Sequence, residues 1–211
     1  TYTILWTTVD GSGLIPADED QADLTAGTYD VTVTDNTLGC VSATSIEVTE
    51  PDLLEISDVP TDLLCNGNGA GEIDVAVNGG VTNYTYAWTT ADGAGLIATD
   101  EDQTGLSAGT YNVVVTDAND CTVGDVYVLN EPNPILITAV VVNDSCFQGF
   151  TGDIDITIAD GVAPYTYSWV DASGTYSNSN DDIHFLGAES YTLTVTDDNM
   201  CSKDSTFEIT E

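Results

Sequence analysis

One pattern recurs three times along the chain and limits what it can fold into. Each copy has an aromatic segment ending in tryptophan, then a tyrosine and a late cysteine, and the copies are spaced by 82 and 81 residues. The aromatic segments are Tyr2-Thr3-Ile4-Leu5-Trp6, Tyr84-Thr85-Tyr86-Ala87-Trp88 and Tyr165-Thr166-Tyr167-Ser168-Trp169. A period near 81 residues is too long for a solenoid unit and suits a small domain with its own core. The chain is therefore predicted to be an array of similar domains.

The pattern predicts one partial repeat over residues 1–51 and two complete repeats over residues 52–132 and 133–211. The first copy starts at the segment that ends in Trp6, so the earlier strands of that domain are expected to precede residue 1. Glu211 aligns with Glu50 and Glu131, which are each followed by a proline. We therefore expect the sequence to be a fragment of a longer protein.

Alternating apolar and polar residues predict an all-β chain. Tyr111, Val113 and Val115 alternate with residues of the opposite face, and no stretch shows a helical period. About seven short strands per repeat, with a tryptophan on the third and a tyrosine opening the sixth, predict tandem immunoglobulin-like β-sandwich repeats of about 81 residues. The predicted core residues are Trp6, Trp88, Trp169, Tyr29, Tyr111 and Tyr191. The three tyrosines are also where a tyrosine corner is expected.

The charge excludes whole classes of partner. The chain has 36 acidic residues against one Lys and no Arg, for a formal net charge of −35. Such a surface has no cations to neutralise phosphates, so it does not bind nucleic acid or anionic lipid. Nothing in the sequence reads as a membrane span, and direct membrane insertion by these residues is not expected. Hydrophobic residues make up 42% of the chain and alternate regularly, which favours folded domains over disorder.

The five cysteines predict disulfides and an extracellular setting, because each complete repeat has one early and one late cysteine without metal-type spacing. Pairing within repeats would join Cys65 to Cys121 and Cys146 to Cys201, with Cys40 joined to a cysteine before residue 1. The alternative joins Cys65 to Cys201 between repeats. The predicted topology puts early and late cysteines at opposite ends of a sandwich, whereas bridged Cα atoms lie within about 7 Å. Both schemes stay open.

Clustered carboxylates suggest a structural Ca²⁺ site, since Ca²⁺ takes six to eight oxygen ligands in irregular geometry. One candidate is an acidic run that occurs in two copies, Asp18-Glu19-Asp20 and Asp100-Glu101-Asp102. Another is the group Asp117, Asn119 and Asp120 before the last strand. The competing interpretation is that the first group forms solvated loops and the second an ordinary turn. The sole His, His184, has no evident catalytic partner, and no nucleophile–base pair is repeated, so no enzyme activity is expected.

The order of motifs in the second repeat resembles the SprB-type repeat of very large Bacteroidetes surface adhesins. The segments that carry the resemblance are Cys-Asn-Gly-Asn-Gly-Ala-Gly-Glu-Ile (65–73), Gly-Gly (79–80), Tyr-Thr-Tyr-Ala-Trp (84–88), Leu-Ser-Ala-Gly-Thr-Tyr (106–111), Val-Thr-Asp (115–117), Cys121 and Glu-Pro (131–132). The third copy departs from the pattern at Glu189, where Gly is expected. The resemblance implies an exported, cell-surface adhesin associated with gliding or attachment, and it transfers no catalytic residues.

These observations predict the repeats of a structural stalk or filament that presents binding regions away from the cell. The expected partners are neighbouring repeats of the same chain and other copies in a filament. The alternative function is an adhesive module that binds glycans or surfaces through variable loops. Residues 171–186 differ most from their counterparts, so that loop of the third repeat is where such specificity would lie.

Overall fold

The computed structural model describes residues 1–145 and 149–211, and every regular element in them is a β-strand. The first repeat contributes β1 (Tyr2–Thr8), β2 (Gly27–Asp35) and β3 (Val41–Val48). These strands form one antiparallel sheet in the order β1-β2-β3. The predicted all-β class is confirmed.

The second repeat forms two facing sheets from six strands. The strands are β4 (Glu55–Thr61), β5 (Gly71–Asn78), β6 (Thr85–Thr90), β7 (Gln103–Leu106), β8 (Gly109–Thr116) and β9 (Thr122–Leu129). The sheet orders are β4-β5-β7 and β6-β8-β9. The prediction of seven strands is wrong for this repeat. Its Gly- and Asp-rich segment after β6 reaches the sheet through one backbone hydrogen bond, Trp88 N–H to Ala98 O at 2.9 Å, instead of a ladder.

The third repeat repeats this plan with one additional short strand. Its strands are β10 (Leu136–Val142), β11 (Gly152–Ala159), β12 (Thr166–Asp171), β13 (Ser177–Asn178), β14 (Ile183–Leu186), β15 (Ser190–Thr196) and β16 (Ser202–Glu208). The sheets are β10-β11-β14 and β13-β12-β15-β16. This is the two-layer immunoglobulin-like topology that the sequence predicts.

Alternation along the strands builds one core in each sandwich. In β8, Tyr111, Val113 and Val115 are buried while the intervening residues face away. The buried apolar clusters centre on Trp88 in the second repeat and Trp169 in the third. Trp6 is only half-buried, in a repeat that has a single sheet. The other five predicted core aromatics are buried.

By contacts the chain separates into two compact units. One comprises Thr1–Glu55 with the loops Asn78–Asn83 and Asp117–Cys121; the other comprises Ile56–Val77, Tyr84–Thr116 and Thr122–Glu211. Each of the five sheets lies within one predicted repeat. The division at residues 51/52 and 132/133 stays a prediction, since the compact units follow different bounds.

Candidate functional site: the junction of the second and third repeats

A five-residue turn between β15 and β16 presents Cys201. Asp197 is 4% exposed, and its Oδ1 accepts the Cys201 N–H at 2.9 Å while its Oδ2 accepts the Val162 N–H at 3.1 Å. The Asp197 N–H donates to the Cys201 carbonyl at 3.0 Å. Met200 completes the turn with φ 64°, in the left-handed region. The carboxylate therefore fixes the position of the cysteine by bonding its backbone.

The turn joins the two repeats covalently through a disulfide between Cys201 and Cys65. Their Cα atoms lie 5.5 Å apart, within the usual range for a bridge. This bond corrects the expected pairing of Cys65 with Cys121 and of Cys146 with Cys201, because it occupies both sulfurs that those pairs need. Cys121 is free and exposed, and Cys146 lies outside the described residues.

The topology explains why pairing between repeats replaces pairing within them. The loop after the first strand and the turn before the last strand lie at opposite ends of such a sandwich. An eight-residue strand, such as β11, separates those ends by about 25 Å. That distance far exceeds the roughly 7 Å that a disulfide spans between Cα atoms. Cysteines at the adjoining ends of consecutive sandwiches can lie within this distance, as Cys65 and Cys201 do.

Polar contacts surround the disulfide. The Asn199 side-chain amide donates to the Leu64 carbonyl at 3.1 Å, across the junction. Asn133, in the linker, donates to the Asp160 carboxylate at 3.0 Å. On the second repeat, the Gly67 N–H donates to the Glu131 carboxylate at 2.6 Å, which ties the cysteine loop to the linker. The junction is thus held by a covalent bond with hydrogen bonds on either side.

A groove of about 420 Å³ lies beside the disulfide. Its lining includes Cys65, Asn66, Pro132, Asn133, Met200 and Lys203. The sequence has one Lys and no Arg, and that residue, Lys203, lies two positions after the bonded Cys201. The groove therefore combines this lysine with the carboxylate of Asp197.

The same turn presents Cys121, and a related, longer turn presents Cys40. The Asp117 N–H donates to the Cys121 carbonyl at 2.9 Å, and the Asp35 N–H donates to the Cys40 carbonyl at 2.8 Å. Both thiols are exposed and free. In the second copy the left-handed residue is Asp120, with φ 62°. Cys121 is therefore held in the geometry that Cys201 uses to form its bond. Cys40 follows a turn that is one residue longer, in which the Asp35 carboxylate accepts the N–H groups of Thr37 and Leu38.

The residues of the second predicted calcium group lie in the turn between β8 and β9. Asp117 is 5% exposed, and its carboxylate accepts the N–H groups of Val81, Asn119 and Cys121 at 2.8 to 2.9 Å. The bond from Val81 is the main cause that holds the pKa of Asp117 below its usual range. Asn119 and Asp120 are exposed.

The acidic runs form loops whose carbonyl groups are capped by side chains. The Trp88 indole donates to the Asp100 carbonyl at 2.8 Å, as Trp6 does to the Asp18 carbonyl at 3.1 Å. Asp102 Oδ1 accepts the Val75 N–H at 3.0 Å. The remaining acids of these runs, Glu19, Asp20 and Glu101, are exposed. Within residues 1–145 and 149–211, no group of three or more His, Cys, Asp or Glu side chains is placed to hold a metal ion.

The sequence did not point to Gln103, which organises the acidic loop. Gln103 is 1% exposed, accepts the Ile97 N–H at 2.9 Å and donates to the carbonyls of Ile97 and Asp100 at 2.9 and 3.1 Å. Gln21 makes the same set of bonds in the first copy. The recurrence of Gln after each Asp-Glu-Asp run was the available signal.

A family model described as the SprB repeat matches residues 57–93 and 138–174. Each complete repeat thus contains a segment that matches the SprB repeat. Each match runs from the first strand of a sandwich to just beyond the strand that carries the core tryptophan, so the tyrosine and the late cysteine lie outside it. SprB repeats on an immunoglobulin-like fold support an adhesin-type, extracellular repeat, and such repeats are generally non-enzymatic.

Solved structures with a similar arrangement include three sets of immunoglobulin domains. The Down Syndrome Cell Adhesion Molecule isoform 1.30.30, N-terminal eight Ig domains, is 13% identical over 99% of this chain and 32% of its own, with a TM-score of 0.42. Dpr2 Ig1-Ig2 in complex with DIP-Theta Ig1-Ig3 is 14% identical over 99% and 89%, with a TM-score of 0.36. Drosophila OTK, extracellular domains 3-5, is 12% identical over 100% and 86%, with a TM-score of 0.34.

This chain spans about a third of the first of these structures. Because the TM-scores are below 0.5, the assignment of the fold rests on the sheet topology of the SprB repeats themselves. No curated protein matches the chain. The described residues contain no helix that is long and apolar enough to cross a membrane.

Proposed function

We propose that these SprB repeats are segments of the stalk of a large cell-surface adhesin, in which disulfides join consecutive repeats. The observation that carries this proposal is the bond between Cys65 and Cys201, which links a loop of one repeat to a turn of the next. A disulfide is stable in an oxidising, extracellular environment. A stalk needs each junction to resist bending and pulling, and a covalent bond meets that need.

The disulfide changes the path of a pulling force. Force that enters the second repeat through β4 reaches Cys65, crosses directly to Cys201 and leaves through β16. The two cysteines are 136 positions apart in sequence, and the chain between them lies outside this path. About 450–490 Å of extended chain is therefore shielded from tension. Most of both sandwiches would remain folded under load.

The two free late cysteines fit the same scheme. Cys121 is held by the same turn as Cys201, and Cys40 is exposed at the corresponding place before the last strand of its repeat. Each can therefore bond a cysteine that stands where Cys65 stands in an adjacent repeat. The proposed rule is that the early cysteine of one repeat joins the late cysteine of the next. An array that obeys this rule has a disulfide at every junction.

The negative charge supports an extended array. With a net charge of −35, like charges repel along the chain and between chains, which disfavours collapse and nonspecific bundling at moderate salt. Divalent cations would reduce this repulsion. We also propose, from the sequence, that Ca²⁺ binds the acidic loops. A larger rise in Tm in Ca²⁺ than in Mg²⁺ at equal ionic strength would support selective sites.

Single-molecule force spectroscopy of the full chain, held at its two ends, tests the stalk proposal. In the oxidised protein, unfolding should release only the chain outside the disulfide loop. A reducing agent or Cys201→Ser should add a further contour length of about 450–490 Å. Cys121→Ser removes a free thiol and serves as the matched control, which should behave as the wild type. Equal total extension in oxidised and reduced protein would contradict the proposal.

A further inference from the structure

The third repeat has two exposed phenylalanines at positions where the second repeat has glycines. Phe185 lies in β14 and aligns with Gly105 in β7. The two strands are equivalent because β14 pairs with β11, and β7 pairs with β5, through the same register shift. Phe150 and Gly69 each stand two residues before the glycine that opens that sheet strand. The exposed fractions are 81% for Phe185 and 69% for Phe150. Two substitutions at one end of the sandwich have thus added two aromatic rings to its surface.

Phe185 is held in an unfavourable backbone conformation. Its φ is 60°, and the aligned Gly105 has φ 71°, so both occupy the left-handed region at an irregularity of the ladder. Glycine adopts this conformation freely, whereas a bulky residue rarely does. A strained residue whose side chain is exposed contributes little packing in return. Such residues concentrate at binding sites, so the position calls for a ligand.

The two rings border a cavity of about 750 Å³. Other residues that line it include Tyr176, Leu186, Asp171 and Glu189. Tyr176 is fixed by an edge-on contact with Tyr191, with ring centroids 5.6 Å apart. The cavity is therefore concave, partly aromatic and built on ordered side chains, as small binding sites are.

The carboxylates that line the cavity carry negative charge. Burial would raise the pKa of Asp171, but hydrogen bonds from Ser173, Thr175 and the Tyr176 backbone lower it to about 2, so this carboxylate stays ionised. Burial, and then the charges of Glu189 and Asp171, raise the pKa of the Tyr191 phenol. The described lining contains three carboxylates and no Lys, Arg or His.

We propose that this cavity binds the cationic side chain of an arginine or lysine from a partner protein. The aromatic rings attract a cation over their faces, and the carboxylates neutralise its charge. A guanidinium fits best because it is planar and weakly hydrated. A sugar would need donors as well as acceptors, and the Thr175 hydroxyl is already bonded to Asp171 at 2.9 Å. A second copy of this chain, with one Lys and no Arg, is a poor source of the cation.

The site is compatible with the proposed array and does not depend on it. The groove at the repeat junction is lined by Asn66 and Asn68, whereas Gly69 and Gly105, the counterparts of the two phenylalanines, do not line it. Loss of the stalk function would leave this cavity intact.

Nuclear magnetic resonance of the full, ¹⁵N-labelled chain tests the proposal with N-acetyl-arginine amide as the probe. N-acetyl-citrulline amide, which is neutral and similar in shape, is the control ligand, and both titrations contain 150 mM NaCl. We expect the arginine probe to shift the amide signals of residues 149–150, 175–176 and 185–189. Citrulline should shift these signals by less than a third as much.

Variants separate the site from general attraction of cations to an acidic protein. Phe185→Gly restores the residue type of the second repeat and should abolish the localised shifts while the fold is kept. Glu189→Gln should weaken binding at least threefold, whereas Glu208→Gln, an exposed acid on the same repeat, should not. The proposal is overturned by equal shifts with citrulline, by shifts spread over the acidic loops at 18–20 and 100–102, or by localised shifts with methyl glucoside instead. Reducing the disulfide should leave the titration unchanged, so this test is independent of the stalk.

Discussion

Tyrosine hydroxyls hold the loop that enters the central strand of each repeat. The Tyr111 hydroxyl lies 2.9 Å from the carbonyls of both Ala94 and Ser107 and accepts the Ala94 N–H at 3.1 Å. A Cβ on Gly93 would collide with this hydroxyl, so the loop requires glycine there. Tyr191 makes one longer bond, 3.2 Å to the Gly187 carbonyl. These contacts form the expected tyrosine corner.

Removing the hydroxyls should therefore have unequal effects. Tyr111→Phe is expected to lower the free energy of unfolding by about 1–3 kcal/mol, since it removes the part-buried hydrogen bonds to Ala94 and Ser107. Tyr191→Phe should cost about 0.5–1.5 kcal/mol, because a single longer bond is lost. Urea unfolding of each variant measures the difference. An equal loss of unfolding free energy in both variants would show that these hydrogen bonds do not determine how much each tyrosine stabilises the protein.

One buried phenol in the second repeat is not used for a hydrogen bond in the described part of the chain. Tyr127 is 4% exposed and packs on Trp88 with ring centroids 5.7 Å apart, and its hydroxyl has no hydrogen-bond partner among residues 1–145 and 149–211. Phe207 takes this place in the third repeat, against Trp169. Tyr127→Phe is therefore expected to stabilise the protein by about 1 kcal/mol in urea unfolding. Phe207→Tyr should act in the opposite direction, and stabilisation by both changes would contradict the explanation.

Acid should weaken the turn that Asp117 holds. Since the pKa of Asp117 is lowered on folding, its ionised form contributes stability above the unfolded value near pH 4, and that contribution is lost as pH falls further. Asp117→Asn should reduce Tm at neutral pH and remove part of the decline below pH 4. The exposed Asp198→Asn controls for net charge. An unchanged difference between wild type and Asp117→Asn from pH 6 to pH 2 would disprove this role.

At the residue scale, the alternating sequence pattern could predict the core residues but not which backbone groups the carboxylates bind. Trp88 and Tyr111 are recognisable because their positions in an alternating pattern fix which face they occupy. The role of Asp102 or Asp117 depends on which backbone N–H the folded loop brings within 3 Å. That information is absent from a list of acidic residues, so the sequence alone could not show that these two carboxylates accept backbone N–H groups.

At the scale of elements, the strands were predictable and their number was not. Val113 and Val115 alternate clearly enough to place β8, whereas the two-residue β13 depends on one local pairing with Trp169 and Val170. The bulge at Phe185 was missed because glycine marks such a position in sequence and phenylalanine hides it. Short or irregular elements are set by tertiary contacts that local patterns do not contain.

Exposure and bonding state predict which thiols react. Cys40 and Cys121 are exposed and free, so iodoacetamide should alkylate both in the native, oxidised protein. Cys65 and Cys201 should react only after reduction, because each sulfur is in the bond. Peptide mass spectrometry of the labelled chain reads out each site. Native labelling of Cys201 with protection of Cys121 would reverse the assignment.

At the scale of the whole molecule, cysteine spacing left two pairings open because both satisfy one early and one late cysteine per repeat. The structure chooses between them through strand length, which keeps the two ends of a sandwich far apart. A bond that closes a loop of 136 positions would stabilise the folded pair by about 5 kcal/mol in the chain-entropy model. The disulfide between consecutive repeats is therefore the main structural feature of this array beyond the fold of each repeat.

Disulfide mapping of the unreduced chain is the most direct test of that connection. Trypsin is unsuitable with one Lys and no Arg, but cleavage before aspartate separates the cysteines into the peptides 35–51, 62–73, 120–124, 144–152 and 198–203. The account predicts peptide 62–73 joined to peptide 198–203, with 35–51 and 120–124 recovered as free thiols. Peptide 62–73 joined to 120–124, with 144–152 joined to 198–203, would place the bonds within repeats and contradict the junction on which the proposed stalk rests.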